Sequence, residues 1–105
     1  MTYTNAPVNN HQEVVGPDGQ LIDVREPAEF AQGTLPDAIN IPLGELPNRL
    51  AELDPTRRVV LLCRSGGRSA NAAQFLASSG FGDVINLEGG MLAYNPTNQS
   101  QGIRS

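Results

Sequence analysis

The sequence predicts an α/β domain built on an open parallel sheet of four to five strands flanked by helices. Three observations predict it. Short apolar runs recur along the chain ("LIDV", "AINIP", "RVVLLC", "DVINL"), segments of helical character separate them, and the run "VVLL" lacks the polar alternation of a half-exposed strand. Strands alternating with helices at this tempo imply right-handed crossovers between parallel strands. At 105 residues the chain is sized for one domain with one core.

The elements follow in order. Residues 1–18 are polar and rich in Asn, Pro and Gly, which predicts a loosely ordered lead-in ending in a turn at "GPDG", with "EVV" as a candidate edge strand. Residues 19–95 hold the folded domain. Leu21 to Val24 form a first buried strand, and Pro27 then suits the first turn of a short helix that Gly33 caps. "AINIP" is a second strand, stopped by Pro42. Leu43, Leu46, Leu50 and Leu53 lie at helical spacing, with Pro47 starting a regular helix and Asp54-Pro55 ending it. "RVVLLC" is a central strand. The Ala-rich "SANAAQFLASSG" predicts a helix with Ala72, Ala73, Leu76 and Phe75 on its packed face and Gly80 at its end. "DVINL" is the next strand and "GGMLAYNP" a last short helix. Residues 96–105 are a polar tail.

Composition narrows the function. The net charge is −4, so neither nucleic acid nor a membrane surface is an expected partner. All seven basic residues are Arg, which leaves guanidinium forks but no amine for Schiff-base chemistry. A single Cys cannot form an internal disulfide, and the first twenty residues hold no apolar run of signal-peptide kind, so the cytoplasm is the expected compartment. His11 is the only histidine and sits in the polar "NNHQE", where a solvated side chain is expected; a metal site lacks ligands, and no cofactor is expected.

The informative stretch is "LLCRSGGRSA". Cys63 ends the central strand, and Arg64, Ser65, Gly66, Gly67, Arg68 and Ser69 lead directly into the Ala-rich helix. In an open α/β sheet, ligands bind beyond the carboxyl ends of the strands. Two glycines let the backbone curl so that successive N–H groups face inward, an anion-binding nest at a helix N-terminus. Such a setting lowers a thiol from about 8.5 to roughly 3.5–7.5, so Cys63 is expected to be a thiolate nucleophile that needs no histidine base. A buried structural Cys is the bland alternative; the glycine pair and two arginines favour the nucleophile. Arg25, at the carboxyl end of the first strand, is a candidate anion guide, although a structural ion pair of Arg25 with Glu29, or of Asp23 with backbone donors, is the preferred reading.

Three blocks in order, "LIDVREPAEFAQGTLPDAINIPLGEL", "VVLLCRSGGRSANAAQFLASSGF" and "VINLEGGMLAY", resemble the single-domain form of the rhodanese family over roughly residues 21–94. The resemblance implies a compact parallel sheet wrapped by helices, and a sulfurtransferase in which Cys63 takes a sulfane sulfur from a donor such as thiosulfate. Residues 64–68 would cradle the persulfide, with Ser69 as a further donor, before the sulfur passes to cyanide, a thiol or a protein acceptor. Thr34 stands where many members carry His, and Tyr94 where Trp is common. The expected partners are a small anionic donor and an external thiol or thioredoxin-like acceptor, because no second Cys exists to resolve the persulfide. A dedicated sulfur carrier or interaction module is the alternative. A cysteine phosphatase is disfavoured, since Cys63 and Arg68 enclose four residues where phosphatase loops enclose five.

Overall fold

The computed structural model describes residues 2–95. Five strands form one parallel sheet in the order β1-β5-β4-β2-β3, with β1 Thr4–Pro7, β2 Gln20–Asp23, β3 Ile39–Asn40, β4 Val59–Leu62 and β5 Val84–Glu88. The helices are α1 His11–Val15, α2 Pro27–Ala31, α3 Gly67–Ser78 and α4 Gly90–Ala93. β4 is central, pairing with β2 on one side (Leu21 opposite Val60) and with β5 on the other (Val60 opposite Ile85). Its uniformly apolar run is explained by this position, because helices cover both faces of the sheet.

The period of two along β4 sorts its side chains between two layers. Val59, Leu61 and Cys63 join a cluster with Ile22, Val24, Ile41 and α3 residues Ala72, Ala73 and Leu76. Val60 and Leu62 join Val8, Leu21, Leu35, Ile85 and Leu87 in the other. Ile22, Leu61, Leu62 and Leu76 are fully buried, and each such side chain contributes about 1.5–3 kcal/mol of transfer free energy. The small Ala72 and Ala73 let α3 lie close on the sheet, which fixes where its N-terminus points. No helix among the described residues is long and apolar enough to cross a membrane.

Three expectations need correction. Residues 4–15 are not a loose lead-in: β1 adds the fifth strand beside β5, and "EVV" lies in α1 rather than in an edge strand. Val8 anchors this segment in the core, and Asn9 ties it to the far end of the domain by donating from Nδ2 to the Ala93 carbonyl (3.1 Å). His11 is buried, not solvated; its ring meets Tyr94 edge-on at 5.7 Å, and burial pushes its pKa down. The Leu43–Glu52 segment is a pair of 3₁₀ turns, not a regular helix, with Arg49 at the kink (φ −122°, ψ 17°). Pro47 within it removes a backbone donor, and Leu46 still reaches the core. The polar tail expected at 96–105 lies outside the described residues.

Candidate active site

The site forms where β4 stops and α3 starts. Gly66 takes a left-handed conformation (φ +104°), and a Cβ there would press within 3.3 Å of the Gly89 backbone nitrogen. Its N–H consequently turns inward and donates to Cys63 Sγ at 3.0 Å. The Ser69 hydroxyl, from the first turn of α3, lies 3.4 Å from the same sulfur. Burial pushes the Cys63 thiol up, but the Ser69 hydroxyl and the N–H groups of Ser69, Gly66 and Ser65 outweigh it, and the net displacement is downward from the ordinary thiol value. The Cys63 side chain is completely covered, while Arg64 and Ser65 form an exposed rim above it.

The outward-facing carbonyls of this loop are held by α4. Met91 N–H donates to the Cys63 carbonyl and Leu92 N–H to the Arg64 carbonyl, both at 2.9 Å. Gly90 (φ +55°) makes this contact possible, since a Cβ there would fall 2.3 Å from the Cys63 oxygen. With its carbonyls engaged from outside, the loop presents its N–H groups to the sulfur.

The two arginines of the loop differ. Arg68 forms a two-pronged ion pair with Glu29 of α2, Nη1 to Oε1 at 2.8 Å and Nη2 to Oε2 at 2.9 Å. The Arg68 guanidinium, with the Glu26 N–H behind it, holds the Glu29 carboxyl down at about 2. Arg68 therefore ties the loop to α2 as a shape-holding residue. Arg64 is exposed and its guanidinium has no ion pair among the described residues.

Arg25 is not an anion guide at the entrance. Only 6% exposed, it gives Nε and Nη2 to the Asp23 carboxylate (2.8–3.1 Å) and Nη2 also to the Gly33 carbonyl (2.7 Å). A structural ion pair is what stands there, with Asp23 as the partner because Glu29 is taken by Arg68. Asp23 is buried and also accepts from the Arg25 N–H and from Thr34 Oγ1 at 2.7 Å, the compensation a buried carboxylate requires. Four participants escaped the sequence reading: Glu29 as the partner of Arg68, Gly90 under the loop, and Asn86 and Asn5, which continue the hydrogen bonding of Ser69 across the sheet. The signal for Asn86 was available, as an amide inside the apolar run "VINL".

A family model for the rhodanese-like domain matches residues 6–97. The chain belongs to the rhodanese-like domain family. A protein of Allochromatium vinosum named sulfurtransferase is 47% identical to this rhodanese-like domain over 77 residues, covering 73% of this chain and 72% of that protein. A thiosulfate sulfurtransferase of Shewanella oneidensis is 35% identical over 79 residues, covering 75% and 78%. Among solved structures, a rhodanese-like domain protein from Staphylococcus aureus matches with a TM-score of 0.76 at 29% identity, covering 90% of this chain and 92% of that one. A rhodanese-related protein from Thermoplasma volcanium gives 0.69 at 27% identity, covering 100% and 96%. These relatives place the chain in a sulfurtransferase family of the rhodanese type, with the expected parallel sheet.

Proposed function

We propose that this rhodanese-like domain transfers a sulfane sulfur from a small anionic donor such as thiosulfate, through a persulfide on Cys63, to a thiol, cyanide or protein acceptor. The observation that carries the reading is the Cys63 sulfur held by the Gly66 N–H at 3.0 Å and the Ser69 hydroxyl at 3.4 Å, with the Ser65 and Ser69 N–H groups also acting on it. The Cys63 thiolate attacks the outer sulfur of thiosulfate, the S–S bond breaks, and sulfite departs with the electron pair. The new terminal sulfur carries the negative charge, which the loop N–H groups of Ser65, Gly66 and Ser69 stabilise as donors already in position. An acceptor nucleophile then attacks that terminal sulfur and Cys63 leaves as thiolate. Arg68 holds the loop against α2, and Arg64 on the rim attracts the donor. Because the thiol is covered, the rim at Arg64 and Ser65 must yield as the donor arrives. The only Cys of the chain is the nucleophile, so the acceptor is external, a thioredoxin-like protein or small thiol in the cytoplasm.

A loop with four residues between Cys63 and Arg68 suits one sulfur atom. A phosphoryl group, with three equatorial oxygens, needs a wider ring of donors. Turnover of thiosulfate with cyanide, with no turnover of an aryl phosphate, is the expected pattern; phosphate release without sulfur transfer would replace this reading. Within the same assay Arg64→Ala is expected to raise KM for thiosulfate about threefold to tenfold at low salt with little change in kcat, a difference that shrinks as salt screens the rim. An unchanged KM would remove Arg64 from donor capture.

A further inference from the structure

One hydroxyl proton at the site faces three acceptors. Ser69 Oγ lies 3.4 Å from Cys63 Sγ, 3.2 Å from the Gly66 carbonyl and closest of all to Asn86 Oδ1. A serine hydroxyl donates once. The Gly66 carbonyl is satisfied by the Ala70 N–H at 3.0 Å whichever way the hydroxyl points, whereas Asn86 Oδ1 has no other donor among the described residues, so the two acceptors that compete for the proton over the cycle are the amide and the sulfur. Asn86 is 4% exposed in the middle of β5, a strand otherwise apolar up to its last residue. Its orientation is fixed from the far side, where Nδ2 donates to Asn5 Oδ1 of β1 at 3.0 Å, which leaves Oδ1 turned to Ser69.

We propose that the Ser69 hydroxyl is a two-position donor, directed to Asn86 Oδ1 while Cys63 Sγ is a neutral thiol or the inner sulfur of a persulfide and to Sγ while it is a thiolate, which makes Asn86 a positioning residue of the transfer cycle. The inference rests on the sulfur-transfer reading of Cys63. A thiolate is a charged acceptor and outbids a neutral amide carbonyl for the proton, whereas a thiol or a disulfide-like sulfur is a weak acceptor and does not. When the acceptor nucleophile attacks the terminal sulfur, the S–S bond breaks and its electron pair stays on Sγ. At that moment the Ser69 O–H swings from Asn86 to the leaving thiolate. No proton changes owner, and only a hydrogen bond is redirected. Asn86 thereby keeps the hydroxyl in place and opposes a permanently ionised sulfur. The charged groups around Cys63 are Arg64 on the rim, Arg68 on α3, Glu26 capping α2 and Glu29 within it, Asp23 at the end of β2 with its partner Arg25, and Glu88 at the end of β5; among the described residues none of them hydrogen-bonds to Ser69 Oγ or Cys63 Sγ.

The test is the pH midpoint of iodoacetamide alkylation of Cys63, which requires no sulfur donor. The midpoint is read rather than the rate, because opening of the covered rim scales the rate at every pH. Asn86→Leu is expected to lower the midpoint by roughly half a unit or more, since the hydroxyl then serves the sulfur alone, and Ser69→Ala to raise it by a similar amount. In the Ser69→Ala background, Asn86→Leu should add nothing, as expected of two residues acting through one hydroxyl. Asn5→Ala, at an exposed position of the edge strand, frees the Asn86 amide to turn its NH₂ toward Ser69 and should lower the midpoint by a smaller step, which keeps the test decisive where Asn86→Leu does not fold. An Asn86→Leu midpoint that is unmoved or raised, a downward shift that survives Ser69→Ala, or an unmoved Asn5→Ala midpoint each overturn the switch. Failure of the wild type to take up sulfur overturns the sulfurtransferase reading instead, and the two failures are read in separate experiments.

Discussion

Cys63→Ser is expected to reduce thiosulfate–cyanide turnover to the uncatalysed rate while the circular dichroism of the fold stays unchanged. A serine hydroxyl in the same cradle is not ionised near neutrality, and among the described residues no base hydrogen-bonds at this position to activate it. The only histidine, His11, is packed on Tyr94 beside the opposite core layer, and its buried Nε2 makes no hydrogen bond. The substitution removes the attacking atom and little else, because the Gly66 N–H that donates to Sγ at 3.0 Å can donate to a hydroxyl oxygen. Turnover within tenfold of the wild type would mean that the sulfur passes elsewhere.

Gly90→Ala carries the second large effect, on stability and turnover together. Gly90 lies at φ +55°, and the added Cβ would sit 2.3 Å from the Cys63 carbonyl oxygen and 2.6 Å from that of Arg64. Both obstacles are backbone atoms that cannot rotate away. Strain in the left-handed region and displacement of α4 from the loop together are expected to cost about 3 kcal/mol, a fall in Tm on the order of 15 °C for a domain of this size. The released loop carbonyls also loosen the N–H cradle, so turnover at temperatures below the transition should fall more than tenfold. Gly44→Ala is the control, since a Cβ there meets nothing within 4 Å, and it should change stability by less than about 0.5 kcal/mol. Equal behaviour of the two variants would show that α4 does not hold the loop.

What was legible in the sequence follows from range. Strands β2, β4 and β5 announced themselves because a strand buried on both faces must be apolar along its length, and α3 because Ala72, Ala73 and Leu76 repeat at helical spacing. β1 was hidden: "TNAP" is polar and mostly exposed, and it is a strand only because β5 offers an edge some eighty residues later. His11 misled for the same reason, since its neighbours are polar while its burial comes from Tyr94. The Leu43–Glu52 segment kept its leucine spacing, but Pro47 and the bend at Arg49 made it 3₁₀. At the site, Cys63, the glycine pair and the two arginines are contiguous in sequence, so the loop was legible as a unit. The partner Glu29 lies 39 residues from Arg68 and Asn86 lies 17 from Ser69, and only the crossover topology brings them together.

The most direct measurement of the central claim is the intact mass of the wild-type protein after brief exposure to thiosulfate, before and after treatment with a thiol reductant. Capture at Cys63, the only cysteine, predicts a gain of one sulfur atom that the reductant removes completely. A mass unchanged by thiosulfate, or an added mass that the reductant leaves in place, would contradict a persulfide on Cys63.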